Sequence, residues 1–362
     1  MRALNSPPDL ARPVVLYVTK GLVDVAEAEL REIVPQVGLR QREERFLVAD
    51  LTPSEIERVG ALARVVDDIR ILVAGPSTVR DEDGLEALCA SAEKEIGASV
   101  TGADDSAPWS VTLSTRNPAW RCKPRWDPKP ILARTLHDAD PDSTQRQPVD
   151  VRIQLDGEGG HASVNIWSRP LGKQDRDITA AWRGALHPTV AAALVRLAVD
   201  LGGPNALYGP FCGSGTIVGE AARSGLPVYA SDRSADAVCR TRERLTHAGL
   251  PADELSHRVF VRDVYSGPDP RVDARLLVAN PPWGKQVRVS DRGALFEALA
   301  QLVAHTLRSG GAAVLLTTHE EQLMERLRRH GLKPTSRPVG LLGQTPAIVS
   351  CTGRYGVGRP IA

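Results

Sequence analysis

The sequence predicts an α/β protein: a mostly parallel, doubly wound sheet in its C-terminal part, preceded by a small α/β unit. Three observations predict this. From about residue 180, short apolar runs alternate with helix-periodic segments at the spacing of βα units. One run enters a glycine-rich stretch, YGPFCGSGTIVGEAA, that opens a helix at residues 208–222. Another, Leu276-Leu277-Val278-Ala279, runs straight into NPPWGKQV. In an open α/β sheet, ligands bind at the carboxyl ends of such strands.

The elements follow in order. Residues 14–18 read as a short buried strand, and residues 22–33 as a helix with Val23, Ala26, Leu30 and Ile33 on one face. Residues 46–48 suggest a strand, 54–62 a helix, 69–73 a strand and 81–96 a helix. Residues 109–114 alternate like a half-buried strand. Strands at 149–155 and 161–167 flank a turn at 156–160, DGEGG. The character then changes, with a domain boundary expected near 170–185. His187-Pro188 opens a helix with proline in its first turn, carrying Val190, Leu194, Leu197, Ala198 and Leu201 on its apolar face and ending at Gly202-Gly203-Pro204. Beyond it come strands at 206–208, 228–230, 259–261, 276–279 and 312–316, with helices from 216, from 235 and over 294–307.

The chain has 362 residues, enough for two or three domains with buried cores. Lys and Arg total 45 against 44 Asp and Glu, so any nucleic-acid contact must come from a local patch. The five cysteines form no CxxC and the eight histidines no HExxH, which argues against a disulfide scaffold and a dedicated metal site. No run reaches the ~18 apolar residues of a membrane span, so a soluble, cytoplasmic protein is expected.

Four motifs carry chemistry. In the glycine stretch, Gly213 and Gly215 allow a sharp turn and close approach of backbone to a ligand, and Gly219 allows tight helix packing. It is not a phosphate loop of the GK[ST] type, since Gly284-Lys285 is followed by Gln286. Asp232, in VYASDRS, follows Gly215 by 17 residues and can accept both hydroxyl protons of a ribose; the alternative is a helix N-cap. Asp263, in VRDVY, can accept from an adenine amino group, or be an ordinary loop aspartate. Asn280 offers a carbonyl oxygen, and the Asn280–Pro281 or Pro281–Pro282 backbone a second. Two acceptors fixed by stiff prolines can grip the hydrogens of a flat exocyclic amine, while Trp283 gives its ring a face to stack on. No strong base is needed, because the proton can leave after methyl transfer.

A glycine loop, an acid, a second acid and NPPW, each after a successive strand, fit an S-adenosylmethionine-dependent methyltransferase. GPFCGSGTIVGEAA, SDRS and NPPWG resemble the class I methyltransferases that modify exocyclic amines. ITAAWRGALHPTVAAALVRLA ahead of the glycine loop resembles the THUMP-domain RNA methyltransferases, above all the tRNA guanine-N2 methyltransferases that act on the acceptor stem. This resemblance implies a ferredoxin-like domain at residues 1–80, a THUMP RNA-binding domain at 81–172 and a Rossmann-like class I methyltransferase domain, with a mostly parallel seven-stranded sheet, at 173–362. It implies S-adenosylmethionine held by Pro210, Phe211, Cys212, Gly213, Ser214, Gly215, Thr216, Asp232, Arg233, Asp263, Val264 and Asn280, with His187 and Thr189 a looser match at the methionine end. It implies a catalytic tetrapeptide of Asn280, Pro281, Pro282 and Trp283, an RNA substrate with tRNA favoured, and neither metal nor membrane. Two departures stand out. Gly209 occupies a position where the family usually has an acid that helps hold the cofactor, and Trp283 stands where tyrosine or phenylalanine is commoner.

Residues 116–134 hold six basic side chains, Arg116, Arg121, Lys123, Arg125, Lys129 and Arg134, against one acid, with Trp120 and Trp126 interleaved. Cations for phosphates and indoles for stacking suit RNA; the alternative is a solvated loop with its tryptophans tucked in. The competing functions are methylation of another nitrogen (adenine N6 of rRNA or DNA, or a protein glutamine amide), a non-catalytic RNA-binding protein with a decayed cofactor site, and a nicotinamide dehydrogenase, which leaves NPPW unexplained.

Overall fold

The computed structural model describes residues 10–99, 109–115, 149–156, 159–165, 185–283, 290–341 and 343–353. Its contacts group residues 1–18 with 27–171, and residues 19–26 with 172–362. The helix α1 (Val23–Ile33) therefore divides between the two groups.

The first unit is built on a seven-stranded sheet of order β2-β3-β1-β4-β7-β6-β5: β1 (Arg12–Tyr17), β2 (Gly38–Arg42), β3 (Phe46–Leu51), β4 (Asp68–Thr78), β5 (Trp109–Thr115), β6 (Val149–Asp156) and β7 (Gly159–Asn165). All neighbours are antiparallel except β5 and β6. One sheet thus runs across residue 80, through the β4–β7 pair. The helix α2 (Pro53–Leu62) starts at a capping box: Glu55 N–H donates to Thr52 Oγ1 at 3.3 Å, and Thr52 N–H donates to the Glu55 carboxylate at 2.8 Å. The helix α3 (Glu82–Ser99) follows β4. The strand β2, GLRQR, gives no apolar signal because it is an edge strand whose residues are half-exposed or exposed. The expected turn at 156–160 is shorter than its glycines suggest: β6 and β7 pair out to Asp156 and Gly159. Gly160 lies within β7, where a Cβ would sit 2.7 Å from Leu155 Cδ2; its lack of a side chain serves packing. Arg70, fully buried, donates to the Asp68 carboxylate at 2.9 Å and to the carboxylate of Asp150, fastening β4 to β6.

The second unit carries the parallel sheet. Its order is β10-β9-β8-β11-β12-β14-β13, from β8 (Leu207–Gly209), β9 (Val228–Asp232), β10 (Val259–Val261), β11 (Leu276–Ala279), β12 (Ala312–Thr317), β13 (Thr335–Pro338) and β14 (Ala347–Thr352). The first five are mutually parallel; β14 runs antiparallel between β12 and β13. The helices are α4 (Pro188–Gly202), α5 (Thr216–Arg223), α6 (Ala235–His247), α7 (Ala252–Arg258), α8 (Arg292–Thr306) and α9 (Glu320–Arg329). Side chains alternate across a strand, and both faces are covered. Leu277, Ala279, Ala313 and Leu315 pack with Leu295, Phe296, Leu299, Leu323 and Leu327 of α8 and α9. The intervening Leu276, Val278 and Val314 are equally buried, on the face against which α4 lies. Burying one such leucine contributes on the order of 1.5–3 kcal/mol. The strands β13 and β14 and the helices α7 and α9 add to the elements read from the sequence. Among the described residues, no helix is long and apolar enough to cross a membrane.

After β10 the chain makes a 3-10 turn, Val264–Ser266, and then a loop knitted by charge. The Arg262 guanidinium donates to the carbonyls of Ser266, Gly267 and Pro268, each at 3.0 Å, and to the Asp269 carboxylate at 2.9 Å. Arg271 donates to Asp269 from its backbone N–H, its Nε and its Nη2. Those Arg271 hydrogen bonds, more than any other effect, hold the Asp269 carboxyl down at about 2, below its ordinary 3.8. A carboxylate depressed in the fold stabilises it above the ordinary value and loses that contribution as pH falls toward about 2. Asp269→Asn is therefore expected to destabilise the protein by about 1–3 kcal/mol at neutral pH. The gap in melting temperature from wild type should close as pH falls through the range between 3.8 and about 2; a gap independent of pH would contradict the assignment.

Candidate functional site

Every strand-end motif read from the sequence lies at the carboxyl edge of the parallel sheet. The glycine loop follows β8, Asp232 is the last residue of β9, Asp263 lies just beyond β10, and Asn280 directly follows β11. The chain lays strands outward from β8 to β9 to β10, then returns to place β11 on the other side of β8. The glycine loop and NPPW thus flank the point where strand order reverses, where a crevice forms in such sheets.

The glycine loop is held from several sides. Asp232 uses one carboxylate oxygen to accept from Gly213 N–H at 3.0 Å and the other to accept from Ser234 N–H at 3.0 Å. The N-cap of α6 is Ser234, not Asp232, so the helix-cap alternative for Asp232 fails. Cys212 N–H donates to Ser231 O at 3.0 Å and Gly215 N–H to Cys212 O at 2.7 Å. From α6, Thr241 Oγ1 donates to Gly213 O at 3.2 Å, and Arg244 Nε donates to Ser214 O at 2.9 Å.

The glycines have separate reasons. Gly213 has φ +54°, and a Cβ there would meet none of the described residues within 4 Å, which leaves space where a ligand can approach. Gly215, the left-handed N-cap of α5, faces α6 instead: its Cβ would lie 3.1 Å from Thr241 Cα and Oγ1. At Gly219 a Cβ would lie 2.9 Å from Arg244 Cδ. So Gly219 serves helix packing as its position in the sequence suggests, whereas Gly215 makes room for α6 rather than for a ligand. Gly209 is buried at the end of β8, and a Cβ there would sit 2.8 Å from Val218 Cγ1. The place of an acidic side chain is taken by Val218.

The remaining expected residues divide between cleft and core. Pro210 and Thr216 are buried; Phe211 packs against the α8 core cluster and Val264 belongs to it. Ser214 Oγ lies 3.2 Å from Thr216 Oγ1. Arg233 is exposed. Burial pushes the Cys212 thiol up to about 12, so it stays protonated at neutral pH and is no nucleophile. Asp263 caps the 3-10 turn, accepting from Tyr265 N–H at 3.1 Å. His187 is the N-cap residue of α4, and its Nδ1 lies 2.8 Å from Thr189 Oγ1; the pair sits on a helix beside α5 rather than on the strand edge itself.

At NPPW, Asn280 Oδ1 is buried and, among the described residues, accepts no hydrogen bond. A buried acceptor without a partner costs about 1–3 kcal/mol, which fits a group kept for a ligand. Pro281 and Pro282 have no N–H to carry the ladder past Ala279, which pairs with Leu315. Trp283 Nε1 donates instead to Leu316 O at 3.3 Å, which pins the indole to β12. An orphaned acceptor, a pinned indole and open space beside Gly213 fit a nucleoside donor and a flat amine. The eight residues expected to contact RNA, Arg116, Trp120, Arg121, Lys123, Arg125, Trp126, Lys129 and Arg134, lie outside the described residues. The parts absent from the sequence reading are Thr241, Arg244, Arg262 and Asp269. The contacts of Thr241 and Arg244 span 28 and 30 residues and leave no local signature.

Residues 176–345 match the family model described as UPF0020: RMKL-like, methyltransferase domain. The tRNA (guanine(6)-N2)-methyltransferase of Thermus thermophilus is 36% identical over 194 residues, covering 51% of this chain and 54% of that protein. A tRNA (guanine(10)-N2)-dimethyltransferase of Methanothermobacter thermautotrophicus is 37% identical over 101 residues, 28% of each chain. The matches thus span about half or less of these relatives. Among solved structures, TrmN from Thermus thermophilus superposes with a TM-score of 0.73 at 24% identity, covering 94% of this chain and 99% of that one. A protein described as a predicted N6-adenine-specific DNA methylase from Listeria monocytogenes gives 0.70 at 18% identity, covering 95% and 96%. The chain shares the α/β fold of these class I methyltransferase neighbours, and its C-terminal unit is similar in sequence to a methyltransferase domain family.

Proposed function

We propose that this chain transfers a methyl group from S-adenosylmethionine to the exocyclic N2 amine of a guanosine in structured RNA, with the tRNA acceptor stem as its place of action. The observation that carries this reading is the buried Oδ1 of Asn280, which accepts no hydrogen bond among the described residues, beside a pinned indole at the reversal point of the sheet. The relatives named as tRNA guanine-N2 methyltransferases support the substrate class. The domain reading goes with it: a ferredoxin-like domain at 1–80, a THUMP domain at 81–172 whose basic, tryptophan-bearing stretch meets RNA, and the methyltransferase domain at 173–362.

In this reading the Gly213 side of the loop, Asp232 and Asp263 hold the donor, which supplies a methyl group on a sulfonium centre. Asp232 keeps lone pairs for ribose hydroxyls, since among the described residues each oxygen accepts one backbone N–H. Asn280 Oδ1 and a neighbouring backbone carbonyl accept the two amine hydrogens, and Trp283 stacks on the ring. The amine is thereby turned so that its lone pair faces the methyl carbon. The bound donor would supply the methyl group that the amine nitrogen takes up, and the extra proton on nitrogen then leaves to water. The guanine must first be drawn from its stack, at a cost of a few kcal/mol.

Incubating the full chain with methyl-labelled donor and total tRNA, followed by nucleoside mass spectrometry, should yield N2-methylguanosine. Label in N6-methyladenosine, in protein, or nowhere would overturn the assignment. Asn280→Ala should cut turnover about 100-fold or more while donor and tRNA affinities change by less than about threefold; unchanged turnover removes the clamp. Trp283→Phe keeps a ring but loses the bond to Leu316 O. It should raise KM for tRNA about three- to tenfold with donor affinity unchanged, and an equal shift in both constants would count against the pinned stacking face.

A further inference from the structure

Three side chains reach the backbone of the glycine loop, and two of them come from α6. Thr241 takes the carbonyl of Gly213 at 3.2 Å and Arg244 the carbonyl of Ser214 at 2.9 Å. Both are buried, and two glycines, Gly215 and Gly219, are shaped to admit them. A trans peptide is planar, with its C=O and N–H pointing opposite ways. With Gly213 O drawn toward α6, the N–H of Ser214 on the same plane faces away from α6. The two flanking amides are occupied: Gly213 N–H by Asp232, and Gly215 N–H by Cys212 O. Among the described residues, the Ser214 amide has no backbone partner; it is aimed away from the helix that holds Gly213 O, next to a glycine whose Cβ would meet none of them within 4 Å.

We propose that Thr241 and Arg244 are positioning residues: by fixing the carbonyls of Gly213 and Ser214 they aim the Ser214 N–H into the cleft, where it donates to an anionic group of the bound donor. The inference rests on the donor-binding reading above and adds how the loop is kept ready for it. A loop held before the ligand arrives binds without first losing conformational freedom. A chain without these bonds must order the loop on binding, so affinity falls while the chemistry, set by Asn280 and Trp283, does not.

The test uses the full chain with Thr241→Val, which removes the hydroxyl but keeps the shape, and Thr241→Ser, which restores the hydroxyl. Arg244→Lys is a third variant. Two readouts are taken on each: S-adenosylhomocysteine affinity by calorimetry, and amide hydrogen exchange of residues 212–216 without ligand. With Thr241→Val, exchange in the loop should rise and affinity fall about three- to tenfold, with kcat at saturating donor unchanged and melting temperature near wild type. Thr241→Ser should return both readouts to wild type, and Arg244→Lys should shift both in the Thr241→Val direction. Unchanged exchange and affinity in Thr241→Val, with a wild type that binds, overturns the positioning role and leaves donor binding standing. A wild type that does not bind S-adenosylhomocysteine overturns donor binding and this role together.

Discussion

Between β8 and β11 the chain reverses the direction in which it lays down strands, and the cleft follows from that reversal. Helices leaving β8 and β11 must go to opposite faces of the sheet, so the two strand ends are left without a helix across them. The glycine loop fills one side of that gap and Asn280 with its prolines the other. Both devices solve the same difficulty in different ways. The loop exposes backbone donors by doing without side chains. The NPPW segment exposes acceptors by doing without backbone donors, because a proline cannot extend a ladder. One side of the crevice therefore offers hydrogen and the other offers oxygen, which suits a carboxylate-bearing donor opposite an amine.

The charges around the edge are arranged to hold structure rather than to move protons. Asp232 bonds two backbone amides, Asp263 one, and Asp269 is tied to two arginines. Cys212 is kept neutral by burial. The proposed amine methylation, with late proton loss, needs no base at this edge. Positions of acceptors, not acidities, are what this site controls.

Much of this was legible in the sequence because the chemistry sits on strand ends. An apolar run ending in glycine, aspartate or asparagine announces both the strand and its edge, so Gly213, Asp232, Asp263 and Asn280 could be placed before any coordinates. What was not legible has common physical causes. The edge strand β2 is polar on both faces, and β13 is exposed, so neither shows the alternation that marks a half-buried strand. Gly160 and Gly215 both read as turn or ligand glycines. They are fixed instead by Leu155 and Thr241, neighbours that folding supplies and spacing cannot reveal. Gly209 reads as a missing acid; the structure shows a position already filled by Val218 from α5. A larger residue at 209 would need a smaller one at 218.

The strand β14 is the last described strand in sequence yet lies inside its sheet, hydrogen-bonded on one side to β12 and on the other to β13. During synthesis, the flank of β12 stays open until residues 347–352 have cleared the ribosome. At translation rates of about 5–20 residues per second, the first unit has time to fold long before. The second keeps an incomplete sheet until β14 is available, and this delay leaves the apolar flank of β12 uncovered for longer than any part of the first unit.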